Sequence, residues 1–135
     1  MKVLVVEDEF TSRKILQRIF SSYGTCDTAV SGNEAVEAFE QAWLEGEPYD
    51  LICMDVLLPN MDGHQALETI RNLEKEMGIM VTQEVYVMMV TILDDTENIM
   101  KAFFKLGASS YIVKPVKPAD REKVIKEVKK MGLLP

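Results

Sequence analysis

The chain has 135 residues, 47% hydrophobic and 27% charged, with a net charge of −7 and an isoelectric point near 4.8. That length suits one domain, residues 1–135, burying roughly 65–70% of the surface its unfolded chain exposes, which excludes a disordered chain and any need for a disulfide framework. The acidic balance argues against direct nucleic-acid binding, which runs mainly on Lys and Arg. No apolar run is long enough to insert in a membrane, and the opening MKVLVVEDE is too short for a leader, so a cytoplasmic protein is expected.

In chain order, residues 3–6 form an apolar run of strand length, cut off by Glu7 and Asp8. Ile15, Leu16, Ile19, Phe20 and Tyr23 then recur at three and four residues, a helical face followed by Gly24 as a C-terminal glycine. A shorter strand is expected around residues 26–30. Ser31 and Glu34, at the spacing of a capping box, open a helix carrying Ala35, Val36, Phe39, Ala42 and Trp43.

Residues 51–54 are again apolar and end in Asp55. Ala66, Leu67, Ile70 and Leu73 mark a third helix, residues 85–90 a strand ending in Thr91, and Ile99, Phe103 and Leu106 a helix closed by Gly107. A last strand over residues 110–113 runs into Lys114 and Pro115. Pro118 suits the first turn of a fifth helix bearing Val124, Ile125, Val128 and Met131.

Five strands alternating with five helices, the strands apolar on both faces, predict an α/β fold. It is a doubly wound five-stranded parallel sheet, a (βα)5 three-layer sandwich, because right-handed crossovers place helices on both sheet faces. Ligands of such sheets bind outside the carboxyl ends of the strands. Glu7 and Asp8, Asp55, Thr91, and Lys114 stand at four of those five ends.

Carboxylates gathered at one point repel by about 4 kcal/mol per pair at ~4 Å and an effective dielectric of ~20, enough to force protonation or bring in a cation. Oxygen ligands favour Mg²⁺, and Lys114 adds a fixed positive charge. A carboxylate beside a cation, a lysine and a hydroxyl suits phosphoryl transfer, with Asp55 as the nucleophile that becomes an aspartyl phosphate. Singly, each residue has a plainer structural reading: a helix cap, a turn residue, a β-favouring threonine, a solvated lysine. The case rests on their coincidence at successive strand ends.

Cys26 and Cys53 lie in apolar stretches without metal or redox spacing and read as reduced core residues. His64, the single histidine, follows Asp62 and Gly63 and is expected to be a solvated first-turn helix residue rather than a base.

The segments VLVVEDE, DLICMDVLLPNMDG, VMMVT and GASSYIVKP, in this order and spacing, resemble a response-regulator receiver domain of the chemotaxis single-domain type, over nearly the whole chain. The resemblance implies the flavodoxin-like strand order 2-1-3-4-5. It also implies a Mg²⁺ site of Glu7, Asp8, Asp55 and the Leu57 backbone carbonyl, with Thr91 and Lys114 holding the phosphoryl oxygens. Tyr111 corresponds to the family's switch aromatic, acting with Thr91, and Lys114-Pro115 to a cis peptide. The expected function is a two-component response regulator, not an enzyme. A histidine kinase or histidine phosphotransfer protein would phosphorylate Asp55, and the face of the fourth helix, fifth strand and fifth helix would switch to engage a downstream target protein, as monomer or phosphorylation-linked dimer. With the chain ending soon after the fifth helix, output is expected through protein contact; a scaffold or phosphate shuttle without switching is the alternative.

Departures from the family pattern are Glu7 where Asp is frequent, the long segment EKEMGIMVTQEV with Glu84 in place of a proline, and Val116 and Lys117 in place of an aromatic. Leu57 and Leu93, two residues after Asp55 and Thr91, stand where the family tunes water access, so slow self-dephosphorylation is expected. An aspartyl-phosphate phosphatase is disfavoured because Leu57 occupies the place of its general acid. A flavodoxin-like cofactor binder is disfavoured by the acids of VEDEFTSR, where a phosphate cradle would be needed.

Overall fold

The computed structural model describes residues 1–92 and 96–135, with the side chains of residues 98, 103 and 104 outside the described set. The elements are β1 (Lys2–Val6), α1 (Phe10–Ser21), β2 (Thr25–Ala29), α2 (Gly32–Leu44), β3 (Leu51–Asp55), α3 (Gly63–Glu76), β4 (Tyr86–Thr91), α4 (Thr96–Phe104), β5 (Ser110–Val113) and α5 (Arg121–Lys130). Short 3-10 turns at Val81–Gln83 and Pro118–Asp120 precede β4 and α5.

All strand pairs are parallel and the order is β2-β1-β3-β4-β5, with Val3 opposite both Cys26 and Leu51. Two apolar cores flank the sheet. On one face Leu16, Ile19 and Phe20 of α1 meet Val124, Ile125 and Val128 of α5; on the other Ala35 and Phe39 of α2 meet Leu67 and Ile70 of α3 and Ala102 of α4. Burying a side chain such as Phe20 or Phe39, each with no exposed surface, contributes ~1.5–3 kcal/mol. β3 is buried along its whole length, as a central parallel strand must be.

Three expectations need correction. β2 is not apolar on both faces: as an edge strand it exposes Thr25, Asp27 and Thr28, so Cys26 is half-buried, while Cys53 in β3 is buried, and both thiols are free. Val30 lies beyond the strand and is 40% exposed. His64 is buried rather than solvated. The reason is at its neighbour: a Cβ on Gly63 would stand 2.3 Å from the Asp55 carbonyl oxygen, so α3 begins in contact with the end of β3 and its first turn is covered. Of the fourth helix's apolar face, Phe103 falls outside the described side chains.

Caps follow the local sequence. Ser31 accepts the Glu34 N–H at 3.2 Å, and Glu9 rather than Glu7 or Asp8 caps α1, accepting from Ser12 N–H at 2.6 Å. A box with both reciprocal bonds opens α3, where Asp62 accepts from Gln65 N–H and the Gln65 side chain accepts from Asp62 N–H. Gly107 takes φ +66° after α4, a conformation glycine adopts without strain.

At the amino-terminal end of the sheet the structure holds a buried ion pair that sequence periodicity does not announce. Arg71 Nη1 donates to Glu74 Oε1 at 2.7 Å, and its other nitrogens donate to the carbonyls of Leu106, Gly107 and Val85 at 2.8–3.1 Å. Glu74 Oε2 accepts the Val85 N–H at 2.8 Å. The pair ties α3 to the start of β4 and to the chain leaving α4. Removing one member leaves the other charged and unpaired, which typically costs 3–5 kcal/mol. Glu74→Ala should therefore lower the unfolding free energy in urea by about that amount, whereas Lys130→Ala, which breaks the exposed pair with Glu127, should change it by less than ~1 kcal/mol.

Candidate functional site

Parallel strands deliver their carboxyl ends to one side, and there the acids meet. Glu7 follows β1 and is held inward by its N–H donating to the Ala29 carbonyl at 3.0 Å. Asp55 is the last residue of β3. Carboxylate oxygens of Glu7, Asp8 and Asp55 all lie within 4.8 Å of one another; Glu7 and Asp55 are buried and Asp8 is exposed.

Lys114, just past β5, reaches into this cluster. Its Nζ contacts Asp55 Oδ2 directly and stands 3.5 Å from Glu7 Oε1. The other Asp55 oxygen, Oδ1, accepts the Leu57 N–H at 3.0 Å, and Glu7 Oε1 accepts the Glu9 N–H at 3.2 Å. The Lys114 N–H donates to the Thr91 carbonyl at 2.8 Å, which fixes the ends of β4 and β5 side by side. The Lys114-Pro115 peptide is cis.

Among the described residues, three formal negative charges against one positive leave the cluster unbalanced. Burial, then the neighbouring Asp55 charge, push the Glu7 carboxyl up to about 7, against the opposing pull of Lys114. Burial depresses the Lys114 ammonium, but the hydrogen bond and charge of Asp55 and the charge of Glu7 outweigh it, so its net pKa is raised. Glu7 Oε2 is fully buried and has no hydrogen-bond partner.

That orphaned oxygen is the test of whether the site fits a divalent cation. A buried acceptor without a donor costs ~1–3 kcal/mol, and the Glu7 carboxyl has an oxygen within 4.8 Å of oxygens of Asp8 and Asp55. Opposite oxygens of a hexacoordinate Mg²⁺ stand about 4.2 Å apart, so a spread of 4.8 Å closes onto one ion by a small inward movement or through one of its waters. The residues fit the metal.

Of the residues expected at the site, Glu7, Asp8, Asp55 and Lys114 come together. Thr91 is buried at the adjoining strand end, but its hydroxyl bonds to the Ile92 carbonyl at 3.4 Å. Tyr111 lies on β5 opposite Met89 and is 42% exposed. The Leu57 side chain is 62% exposed beside the acids. Leu93 lies outside the described residues.

A family model described as the response regulator receiver domain matches residues 3–126. The chemotaxis protein CheY of Treponema pallidum (strain Nichols) is 38% identical over 129 residues, covering 94% of this chain and 79% of that protein. A chain in the crystal structure of the CheX-CheY-BeF3-Mg²⁺ complex from Borrelia burgdorferi superposes with a TM-score of 0.78 at 30% identity, over 99% of this chain and 90% of that one. A chain in the co-crystal structure of the Saccharomyces cerevisiae histidine phosphotransfer protein Ypd1 and the receiver domain of its downstream response regulator Ssk1 gives 0.78 and 30%, over 99% and 92%.

The chain belongs to the response-regulator receiver domain family, the receivers of two-component signalling. Other curated relatives are far longer, and it spans 7% of one and 44% of another. Among the described residues no helix is long and apolar enough to cross a membrane.

The raised Glu7 pKa sets a pH dependence. A carboxyl that titrates near 7 when folded and near 4.5 when unfolded binds more protons in the folded state between those values. In metal-free protein the stability linked to Glu7 is therefore fully present below about pH 4.5 and is lost as the pH rises through about 7, on the order of 3 kcal/mol in all. Urea titrations between pH 5 and 7 should show this decline, with Glu7→Gln removing it and millimolar Mg²⁺ reversing its sign.

Proposed function

We propose that the chain acts as one receiver domain, residues 1–135, in which Asp55 accepts a phosphoryl group from the phosphohistidine of a kinase or phosphotransfer protein. An Asp55 carboxylate oxygen attacks phosphorus, a P–O bond forms, and the P–N bond to the donor imidazole breaks, leaving the donor histidine neutral once it takes a proton from solvent. The observation that carries this reading is Asp55 at a buried strand end, gripped by Lys114 and clustered within 4.8 Å of Glu7 and Asp8.

Glu7, Asp8, Asp55 and the carbonyl of Leu57 would hold Mg²⁺, which supplies the positive charge that lets an anionic phosphoryl group approach this anionic pocket. Lys114 holds Asp55 Oδ2 and can pass to a phosphoryl oxygen without leaving the site, so its charge is already in place when negative charge develops. The Leu57 N–H keeps Asp55 Oδ1 oriented. The Thr91 hydroxyl, bonded to the Ile92 carbonyl at a long 3.4 Å, gives up little in turning to a phosphoryl oxygen. That turn would draw the end of β4 toward Asp55 and bring Tyr111 inward, altering the α4, β5 and α5 face for a downstream target.

The BeF3 and Mg²⁺ named for the Borrelia complex, and the phosphotransfer partner named for the yeast one, support this assignment by likeness. The reading makes the chain a cytoplasmic signalling acceptor rather than an enzyme with a released substrate. It needs no direct nucleic-acid contact and works as a monomer or a phosphorylation-linked dimer.

Incubation with Mg²⁺ and a small phosphodonor should add one acid-labile phosphoryl group by intact mass, with none on Asp55→Asn. Lys114→Ala should slow labelling about 100-fold, the scale of losing one fixed charge stabiliser. An unlabelled wild type would end the proposal. Because Leu57 is bulky and apolar beside Asp55, the phosphoryl group should persist, and Leu57→Asn should shorten its lifetime several-fold in a decay assay.

A further inference from the structure

The loop from Val56 to Asp62 leaves the end of β3 and carries Leu57, and it rests on the amino ends of two helices. On one side it meets Gly63, the first residue of α3, whose N–H donates to the Val56 carbonyl at 2.9 Å and where a Cβ would stand 2.3 Å from the Asp55 carbonyl oxygen. On the other side it meets Gly32, the first residue of α2. A Cβ there would stand 2.5 Å from the Met61 carbonyl oxygen and 3.0 Å from Met61 Cβ and Cγ. Contact at that distance with a backbone oxygen cannot be relieved by a change of rotamer, so the loop itself would have to move.

Such a movement has little chain in which to dissipate. Met61 N–H donates to the Pro59 carbonyl at 2.8 Å across Asn60, which has φ +66°, a tight three-residue turn of the rarer hand. Pro59 has its own φ fixed by its ring. A displacement at Met61 is thus passed through a closed turn and a rigid residue to Leu58 and Leu57. Leu57 N–H holds Asp55 Oδ1 at 3.0 Å, so the same segment orients the carboxylate.

We propose that Gly32, which touches none of the acids, is a positioning residue for the metal site: its missing side chain lets α2 seat Met61 and thereby fixes the Leu57 backbone against Asp55. This rests on the receiver reading, in which the Leu57 carbonyl is a Mg²⁺ ligand. Gly32 shows no positive φ and begins a helix, where alanine ordinarily stabilises. A merely structural account lets the clash of a Cβ with the Met61 carbonyl cost stability without consequence for the metal. The positioning account separates the two effects.

The test compares wild type, Gly32→Ala and the neighbouring control Asn33→Ala, which is exposed on the same helical turn. Mg²⁺ affinity is read by calorimetry, and protection of the Leu57 and Met61 amides by hydrogen exchange without metal. Gly32→Ala should weaken Mg²⁺ binding at least fivefold and speed exchange of both amides, with helix content retained, while Asn33→Ala changes neither. If Gly32→Ala does not fold, Met61→Gly, which loosens the same contact from the loop side, should give both effects. Unchanged affinity and protection in the folded variant would overturn the positioning role. Wild type that binds no Mg²⁺ would overturn the metal reading and this inference with it, a result distinguishable because it appears before any substitution.

Discussion

One ammonium against three carboxylates is the constraint on which the rest of the molecule turns. Glu7 and Asp55 are almost wholly buried, Asp8 lies at the rim, and among the described residues Lys114 is the cation paired with Glu7 and Asp55. A pair of like charges ~4 Å apart at a dielectric of ~20 repels by about 4 kcal/mol, so the cluster persists only through a proton, a lysine or a metal ion. The parallel sheet makes that conflict unavoidable. Every crossover returns the chain to the same edge, so polar residues that end successive strands converge although they are dozens of positions apart in sequence.

The opposite end of the sheet shows what a buried charge looks like when it is there for stability. Arg71 and Glu74 are as deeply placed as Glu7 and Asp55, yet their charges balance and their polar atoms meet carbonyls and an N–H of two separate segments. At the carboxyl end, by contrast, a buried oxygen of Glu7 is left without a donor and the charge does not sum to zero. The two clusters share one fold, and Glu7 and Asp55 are buried as Arg71 and Glu74 are. What distinguishes them is satisfaction, and an unsatisfied cluster is the one with chemistry still to do.

Much of this was legible in the residue order. Runs of strand length, helical periods and their glycine stops mark ten elements within a few positions, and the polar ends of β1, β3, β4 and β5 mark the pocket. The features that escaped depend on packing between distant elements. His64 looks solvated because it follows a turn, but the missing Cβ of Gly63 brings its helix down on β3. Cys26 reads as a core residue, although the polar Thr25, Asp27 and Thr28 around it are what an edge strand exposes. Arg71 and Glu74 sit at an ordinary i,i+3 spacing of exposed helices, and nothing local signals that the chain after α4 and the start of β4 close over them. The reciprocal cap at Asp62 and Gln65 was missed, although the two stand at capping-box spacing.

Glutamate in place of a shorter acid at position 7 has a consequence that follows from its pKa. Burial and the Asp55 charge raise the Glu7 carboxyl to about 7, and a metal ligand must be deprotonated, so a cation held by Glu7 would have to displace its proton. Proton and cation thus compete for the same buried oxygen within the physiological range. Lys114 cannot settle the competition, because its ammonium is already committed to Asp55 and lies farther from Glu7. Under the proposed phosphoryl transfer, Glu7 would set the charge balance in which Asp55 accepts its phosphoryl group, without itself touching the donor.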